Sequence, residues 1–290
     1  MQAIKITSLT YIYSKKTPSE KVALDNVNLA INEGEFVAVV GHTGSGKSTL
    51  VQHLNGLIKT QSGNVEILGN PTTDKKKLKQ LRFDVGMVFQ YPEYQLFEDT
   101  VAKDVAFGPK NMKLPKEEID NRVHRAMELV GLPYSDFAER SPFELSGGEK
   151  RRAAIAGVIA MEPKILVLDE PFAGLDPVGV EEITALIMKL KREVCPTVIM
   201  VTHDMDSASA LADRVVALYD GKIVADGHPK EVFGNRALIE EIGLDVPFVA
   251  RVVDRLEGEG ICLDKGILTI DELVSALDKY KKLTGGESCV

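Results

Sequence analysis

The sequence predicts an α/β protein built on a mostly parallel sheet, with a small helical appendage at its carboxyl end. Three observations carry that prediction. Short apolar runs alternate with helical stretches over roughly the first 235 residues, the pattern of strands joined by crossover helices. One run, Phe36–Val40, leads straight into a glycine-rich loop and then a helical pattern from Lys47 to about Ile58. After about residue 235 the composition shifts and only short helical patterns remain.

Each element has a local reason. Val27, Leu29 and Ile31 alternate with polar residues, as in a half-buried strand. Phe36–Val40 is continuously apolar and suits a strand covered on both faces. Val85–Phe89, Ile165–Leu168 and Val198–Val201 are further strand candidates, with helices expected at 115–130 and 178–193. Pro115 fits a first helical residue and Gly131 a stop. Asp220-Gly221, between Val215–Tyr219 and Lys222–Ala225, reads as a hairpin turn. Thr269-Ile270-Asp271-Glu272 reads as a capping box before a helix over Leu273–Tyr280.

The whole-chain numbers exclude some classes. The 290 residues are 44% hydrophobic and 27% charged, enough for a substantial core. Net charge is −8, so there is no electrostatic footprint for nucleic acid. No apolar run reaches the roughly 18 residues that a membrane span needs, and the first residues lack the pattern of a signal peptide. Cys195, Cys262 and Cys289 are far apart and form no CxxC, as expected of reduced thiols in a cytoplasmic protein. Any membrane association is therefore expected to come through a partner.

Three motifs carry chemistry. Gly41-His42-Thr43-Gly44-Ser45-Gly46-Lys47-Ser48-Thr49 fits G-x-x-x-x-G-K-[ST], a phosphate-binding loop between strand and helix. Its glycines let backbone N–H groups face phosphate oxygens at the positive end of a helix. Lys47 can neutralise β- and γ-phosphate charge, and the Ser48 hydroxyl can ligate Mg²⁺. The run Ile165–Leu168 ends in Asp169-Glu170. Here Asp169 would hold Mg²⁺ and Glu170 would polarise an attacking water. Leu145-Ser146-Gly147-Gly148-Glu149 contains an S-x-x-E capping box. Two glycines in that first turn cost about 1 kcal/mol each relative to alanine, which a plain cap does not require.

Taken in chain order (41–49, 145–149, 165–170), the three motifs resemble those of ABC ATPases, with Leu145–Glu149 as the signature. Gly174-Leu175-Asp176-Pro177 resembles the D-loop, His203 the switch histidine and Gln90 the Q-loop glutamine. The resemblance implies a P-loop NTPase of the ABC-ATPase fold over 1–234: a RecA-like core, an antiparallel β subdomain and a helical subdomain at about 92–160. It implies two such domains paired head to tail. Ser146, Gly147, Gly148 and Glu149 of one subunit would then meet ATP on the P-loop of the other. His203 would contact the γ-phosphate, Gln90 the metal and the catalytic water, and Asp176 would bridge the two sites. Tyr13 resembles the aromatic that stacks on adenine; Tyr11 is its rival, and the spacing leaves both open.

A narrower resemblance, to the ATPase of energy-coupling-factor (ECF) transporters, rests on Phe89–Phe97, Thr100-Val101, Asp104–Pro109, Ser141–Glu144, Ala154–Met161 and Gly243–Phe248. That family imports vitamins and metal ions such as cobalt and nickel. The resemblance implies a helical dimerisation region at 235–290, a second ATPase, identical or non-identical, a membrane coupling subunit and a membrane substrate-binding subunit. It implies no nucleic acid, and a peripheral location on the cytoplasmic face of the cell membrane. Glu149 stands where many relatives have Gln, and Phe172 where many have Thr; neither removes a phosphate or metal contact. The competing readings are a non-ECF ABC transporter ATPase and a soluble ABC ATPase of DNA repair or translation.

Overall fold

The computed structural model describes residues 1–283; Cys289 and the last seven residues of the expected 235–290 region lie outside them. Among the described residues the strands form two sheets. A four-stranded antiparallel sheet, in the order β2-β1-β4-β5, contains β1 (Gln2–Tyr13), β2 (Lys21–Asn32), β4 (Ser62–Ile67) and β5 (Asn70–Pro71). A six-stranded sheet, in the order β10-β9-β3-β8-β7-β6, contains β3 (Phe36–Val40), β6 (Val85–Val88), β7 (Ile165–Asp169), β8 (Thr197–Val201), β9 (Arg214–Tyr219) and β10 (Lys222–Gly227). Its neighbours pair in parallel except β10, which pairs antiparallel with β9 through Asp220-Gly221. Both turn residues have positive φ, 45° and 77°, as the twist of a two-residue hairpin requires.

Every residue of β3, β7 and β8 is buried, and alternate residues feed two different cores. Phe36, Ala38 and Val40 join one with Leu166, Leu168, Val198 and Met200; Val37 and Val39 join the other with Ile165, Val167, Ile199 and Val201. The first core is completed by helices, including Lys116–Leu129, Gly147–Ile159 and Pro177–Glu193. The second is completed by the antiparallel sheet and by the helix Lys47–Leu54. The parallel strands are thus covered on both faces, which is why their sequences read as unbroken apolar runs.

Three local expectations need correction. The helix after the glycine-rich loop stops at Leu54 and does not reach Ile58. Gly56 takes a left-handed φ of 66° and ends it, as C-terminal glycines do. Pro115 is the N-cap, at ψ 149°, and the helix starts at Lys116. The helices past 235 are not all short: Phe248–Gly258 and Ile270–Leu283 have 11 and 14 residues. The cap ahead of the latter is as expected. Thr269 Oγ1 accepts from the Glu272 N–H, and Glu272 Oε2 accepts from the Thr269 N–H, both at 3.3 Å. Lys230 Nζ, 2.6 Å from Glu272 Oε1, leads the groups that hold this carboxyl down at about 2. Cys195 is buried, which pushes its thiol up to about 12, and Cys262 is exposed. Among the described residues no helix is long and apolar enough to cross a membrane.

Candidate active site

Because β3, β6, β7 and β8 run parallel, their carboxyl ends meet at one edge of the sheet, the usual ligand-binding edge of such folds. The loop Gly41–Gly46 follows β3, Gln90 follows β6, Asp169-Glu170 closes β7 and His203 follows β8. Sequence distance is irrelevant here; strand order does the assembling.

The loop is held from behind. Gly41, at φ 157°, has no room for a Cβ, which would collide with Leu218 O and Ser45 Oγ; one on Gly46, at φ 109°, would collide with Ala23 O. The hairpin turn between β9 and β10 braces the same loop. The Gly221 N–H donates to Ser45 O at 3.0 Å. His42 Nε2 lies 3.8 Å from Asp220 Oδ1, and its ring meets Tyr219 edge-on at 5.3 Å. The helix from Lys47 has no side-chain cap and no acidic residue in its first turn. Its positive end is therefore free to receive an anion.

Lys47 is buried. Its Nζ donates to Gly41 O at 2.6 Å and to His42 O at 3.0 Å. An ammonium has three donors, so one remains for a ligand in the loop. Burial lowers its pKa, while Glu170 and then Asp169 raise it. The reciprocal effect falls on Asp169: burial and the Glu170 charge raise its pKa, and Lys47 opposes them. The bare site is thus short of positive charge beside its two carboxylates. Among the described residues no group of three or more His, Cys, Asp or Glu side chains is arranged to hold a metal. Asp169 closes β7, Ser48 lies in the first turn of the helix after the loop and Gln90 follows β6; each carries a side-chain oxygen of the kind Mg²⁺ takes.

Glu170 sits at φ 50°, a left-handed conformation that costs a non-glycine residue on the order of 1 kcal/mol. Its N–H donates to Val201 O at 2.9 Å, and Oε2 lies 2.8 Å from His203 Nδ1. Strand β8 therefore holds both the backbone of Glu170 and, through His203, its carboxylate.

Beside the loop lies a cleft of about 200 Å³ lined by Tyr13, Lys21, Ala23, Gly44, Gly46, Lys47, Ser48 and Thr49. Tyr13 is 39% exposed, with its hydroxyl 3.2 Å from Thr49 Oγ1. Tyr11 instead packs against the second core and meets His53 edge-on at 5.0 Å. Lys21 and Ala23 had no sequence signal, being ordinary residues at the start of a strand.

The signature segment is elsewhere: Ser146, Gly147, Gly148 and Glu149 are not among the residues lining that cleft. Ser146 caps the helix Gly147–Ile159, accepting from the Glu149 N–H at 3.3 Å, while Glu149 Oε2 accepts from the Ser146 N–H at 2.7 Å. These bonds to Ser146, with Arg140 and Arg152 nearby, hold the Glu149 carboxyl below its usual range against weak desolvation. A Cβ on Gly147 would meet nothing within 4 Å, and one on Gly148 only the Arg152 guanidinium at 3.9 Å. Among the described residues no neighbour within 4 Å of those Cβ positions excludes a side chain at Gly147, and only the Arg152 guanidinium approaches one at Gly148. Asp176 caps the helix Pro177–Glu193, its Oδ1 accepting from the Gly179 N–H at 2.7 Å.

Comparison with known proteins shows the family. The family model described as ABC transporter matches residues 24–173. Curated relatives named energy-coupling factor transporter ATP-binding protein EcfA2 match nearly end to end. The protein of that name from Clostridium perfringens is 53% identical over 276 residues, with 95% of this chain and 97% of the relative covered. The one from Clostridium acetobutylicum is 51% identical, with 96% and 99% covered. Among solved structures, cbiO1 from Clostridium perfringens, described as part of the ABC transporter complex cbiONQ, superposes with a TM-score of 0.74 at 40% identity, over 87% of this chain and 99% of that one. The ATP-binding cassette MJ0796, a dimer in a post-hydrolysis state bound to ADP and Pi, superposes with a TM-score of 0.68 at 35% identity, over 78% of this chain and 98% of that one. On these matches the chain belongs to the ABC transporter family, among the energy-coupling factor transporter ATP-binding proteins.

Proposed function

We propose that this chain is the ATP-binding and ATP-hydrolysing subunit that powers an ECF importer for a vitamin or transition-metal ion. The observation that carries the reading is the convergence of Lys47, Asp169, Glu170 and His203 at one sheet edge, with the exposed Gly147 and Gly148 not among the residues that line the cleft beside the loop. Residues 1–234 form the ATPase domain, with a helical signature subdomain at about 92–160, and residues 235–290 a helical dimerisation region.

The backbone N–H groups of Gly41–Thr49 and the Lys47 ammonium bind the ATP phosphates. Ser48, Asp169 and Gln90 would hold Mg²⁺, which would supply neutralising charge for the phosphates. Glu170 orients the attacking water and accepts its proton, and His203, with Nδ1 2.8 Å from Oε2, steers that carboxylate. Ser146, Gly147, Gly148 and Glu149 cap the nucleotide of a second ABC ATPase in a head-to-tail dimer, and Asp176 stands between the two sites. Tyr13, on the cleft wall, stacks on adenine. Tyr13→Ala is expected to weaken ATP binding about tenfold. Tyr11→Ala is expected to act on stability first; equilibrium binding and melting curves of both variants check this.

The membrane partner meets the segment after Gln90. A groove of about 360 Å³ is lined there by Leu96, Phe97, Phe107, Gly108, Ala154 and Met161, among others. Tyr94 is 84% exposed and Phe97 56%. This apolar groove takes a short helix of the coupling subunit, which in turn contacts the substrate-binding subunit, so the chain works at the cytoplasmic face as a peripheral subunit. Tyr94→Ala with Phe97→Ala is expected to cut uptake by about tenfold or more while basal hydrolysis persists. Uptake of candidate vitamins and metal ions by cells carrying the complex, set beside hydrolysis by the purified chain, tests it; undiminished uptake would sink the reading.

A further inference from the structure

One buried arginine joins three segments that the motifs treat separately. Arg151, in the second turn of the helix that begins at Gly147, is 3% exposed. Its Nε donates to Glu93 Oε2 and its Nη2 to Glu93 Oε1, both at 3.3 Å. Nη1 donates to Pro171 O at 3.2 Å, and Nη2 also to Ala173 O at 3.0 Å. Glu93 lies three residues past Gln90, in a short 3₁₀ turn, Pro92–Gln95. Pro171 and Ala173 lie on the strand-exit loop between Glu170 and Asp176.

The same two loops also touch directly. A Cβ on Gly174 would lie 3.2 Å from Tyr91 Cε1. On the other side, Arg152 Nη1 pairs with Glu182 Oε2 at 3.0 Å, tying this helix to the one that Asp176 caps. A planar guanidinium forked onto one carboxylate and two carbonyls fixes direction as well as distance. A lysine at the same place would offer one point of charge.

We propose that Arg151 is a positioning residue that locks the 91–95 turn, the 170–176 loop and the helix starting at Gly147 into one body. Nucleotide arriving beside Glu170 then shifts the Gln90 segment and the signature cap together. The inference rests on the nucleotide reading of the Gly41–Thr49 loop. Arg151 acts through the backbone of the loop that follows Glu170, by its bonds to Pro171 O and Ala173 O.

Hydrogen–deuterium exchange on the full-length chain, with and without Mg²⁺ and the non-hydrolysable analogue AMP-PNP, tests it. In the unaltered chain, analogue binding should slow exchange at 41–49 and change it at both 91–97 and 147–152. In Glu93→Gln and Arg151→Lys, protection at 41–49 should persist, while the response at 91–97 shrinks by about threefold or more. Two variants are used because the lysine variant unsettles the fold more than the isosteric glutamine does. If both keep the full response at 91–97, Arg151 only stabilises the fold, whatever happens to melting temperature, and the proposal falls. It falls as well if the unaltered chain protects 41–49 without any response at 91–97 and 147–152. Absence of protection at 41–49 in the unaltered chain overturns the nucleotide reading itself, and the proposal with it.

Discussion

Glu170→Gln is expected to lower ATP hydrolysis by about 100-fold or more, the usual worth of a positioned general base, while leaving ATP binding close to that of the unaltered chain. The argument is geometric. Glutamine matches the shape of glutamate, and its amide oxygen can still face His203 Nδ1, now 2.8 Å from Oε2. The left-handed backbone at φ 50° and the N–H donated to Val201 O do not depend on the carboxylate. What is lost is a proton acceptor and one negative charge. The lost charge also removes one repulsion that raises the Asp169 pKa, so nucleotide affinity should hold or tighten. Phosphate release and equilibrium ATP binding, measured on the same preparation, separate the two effects. Full-rate hydrolysis by the variant would move the base elsewhere.

Lys47→Ala should act on the other half of the reaction. It removes a buried ammonium that braces the loop through Gly41 O and His42 O. It also removes the one cation that offsets the raised pKa of Asp169. Losing a charge-assisted hydrogen bond to phosphate costs about 3 kcal/mol at the upper end, or on the order of 100-fold in affinity. Weak ATP binding with an intact far-ultraviolet spectrum is the expected result. Unchanged affinity would mean that the loop binds its anion through backbone N–H groups alone.

Much of this was legible in the sequence, for reasons that differ by residue. Phe36–Val40, Ile165–Leu168 and Val198–Val201 stood out because each strand is buried on both faces, which leaves no polar positions to blur the run. The Gly41–Ser48 pattern and the Ser146 and Thr269 caps were legible because their partners lie within a few residues. The choice between Tyr11 and Tyr13 was not. Residues two apart on a strand share a face, and β1 has register shifts against β2 on both sides of Tyr11, which no local pattern announces. The bond between Arg151 and Glu93 spans 58 residues and carries no periodic signal. Leu57 and Ile58 carry the apolar pattern past the helix that ends at Leu54, which Gly56 stops in the left-handed conformation.

The brace behind the glycine-rich loop has a consequence for how the chain comes to life. The loop's sequence signal is complete by residue 49, yet Leu218 crowds Gly41, and Gly221 is bonded to Ser45. Contacts this distant in sequence form late, because the intervening chain must be ordered first. A growing chain therefore carries every residue of its phosphate site for most of its synthesis without the buttress that shapes it. The site matures only after residue 221 has emerged, when every strand of the six-stranded sheet but β10 has been made, so competence to bind nucleotide doubles as a report that the sheet is nearly complete.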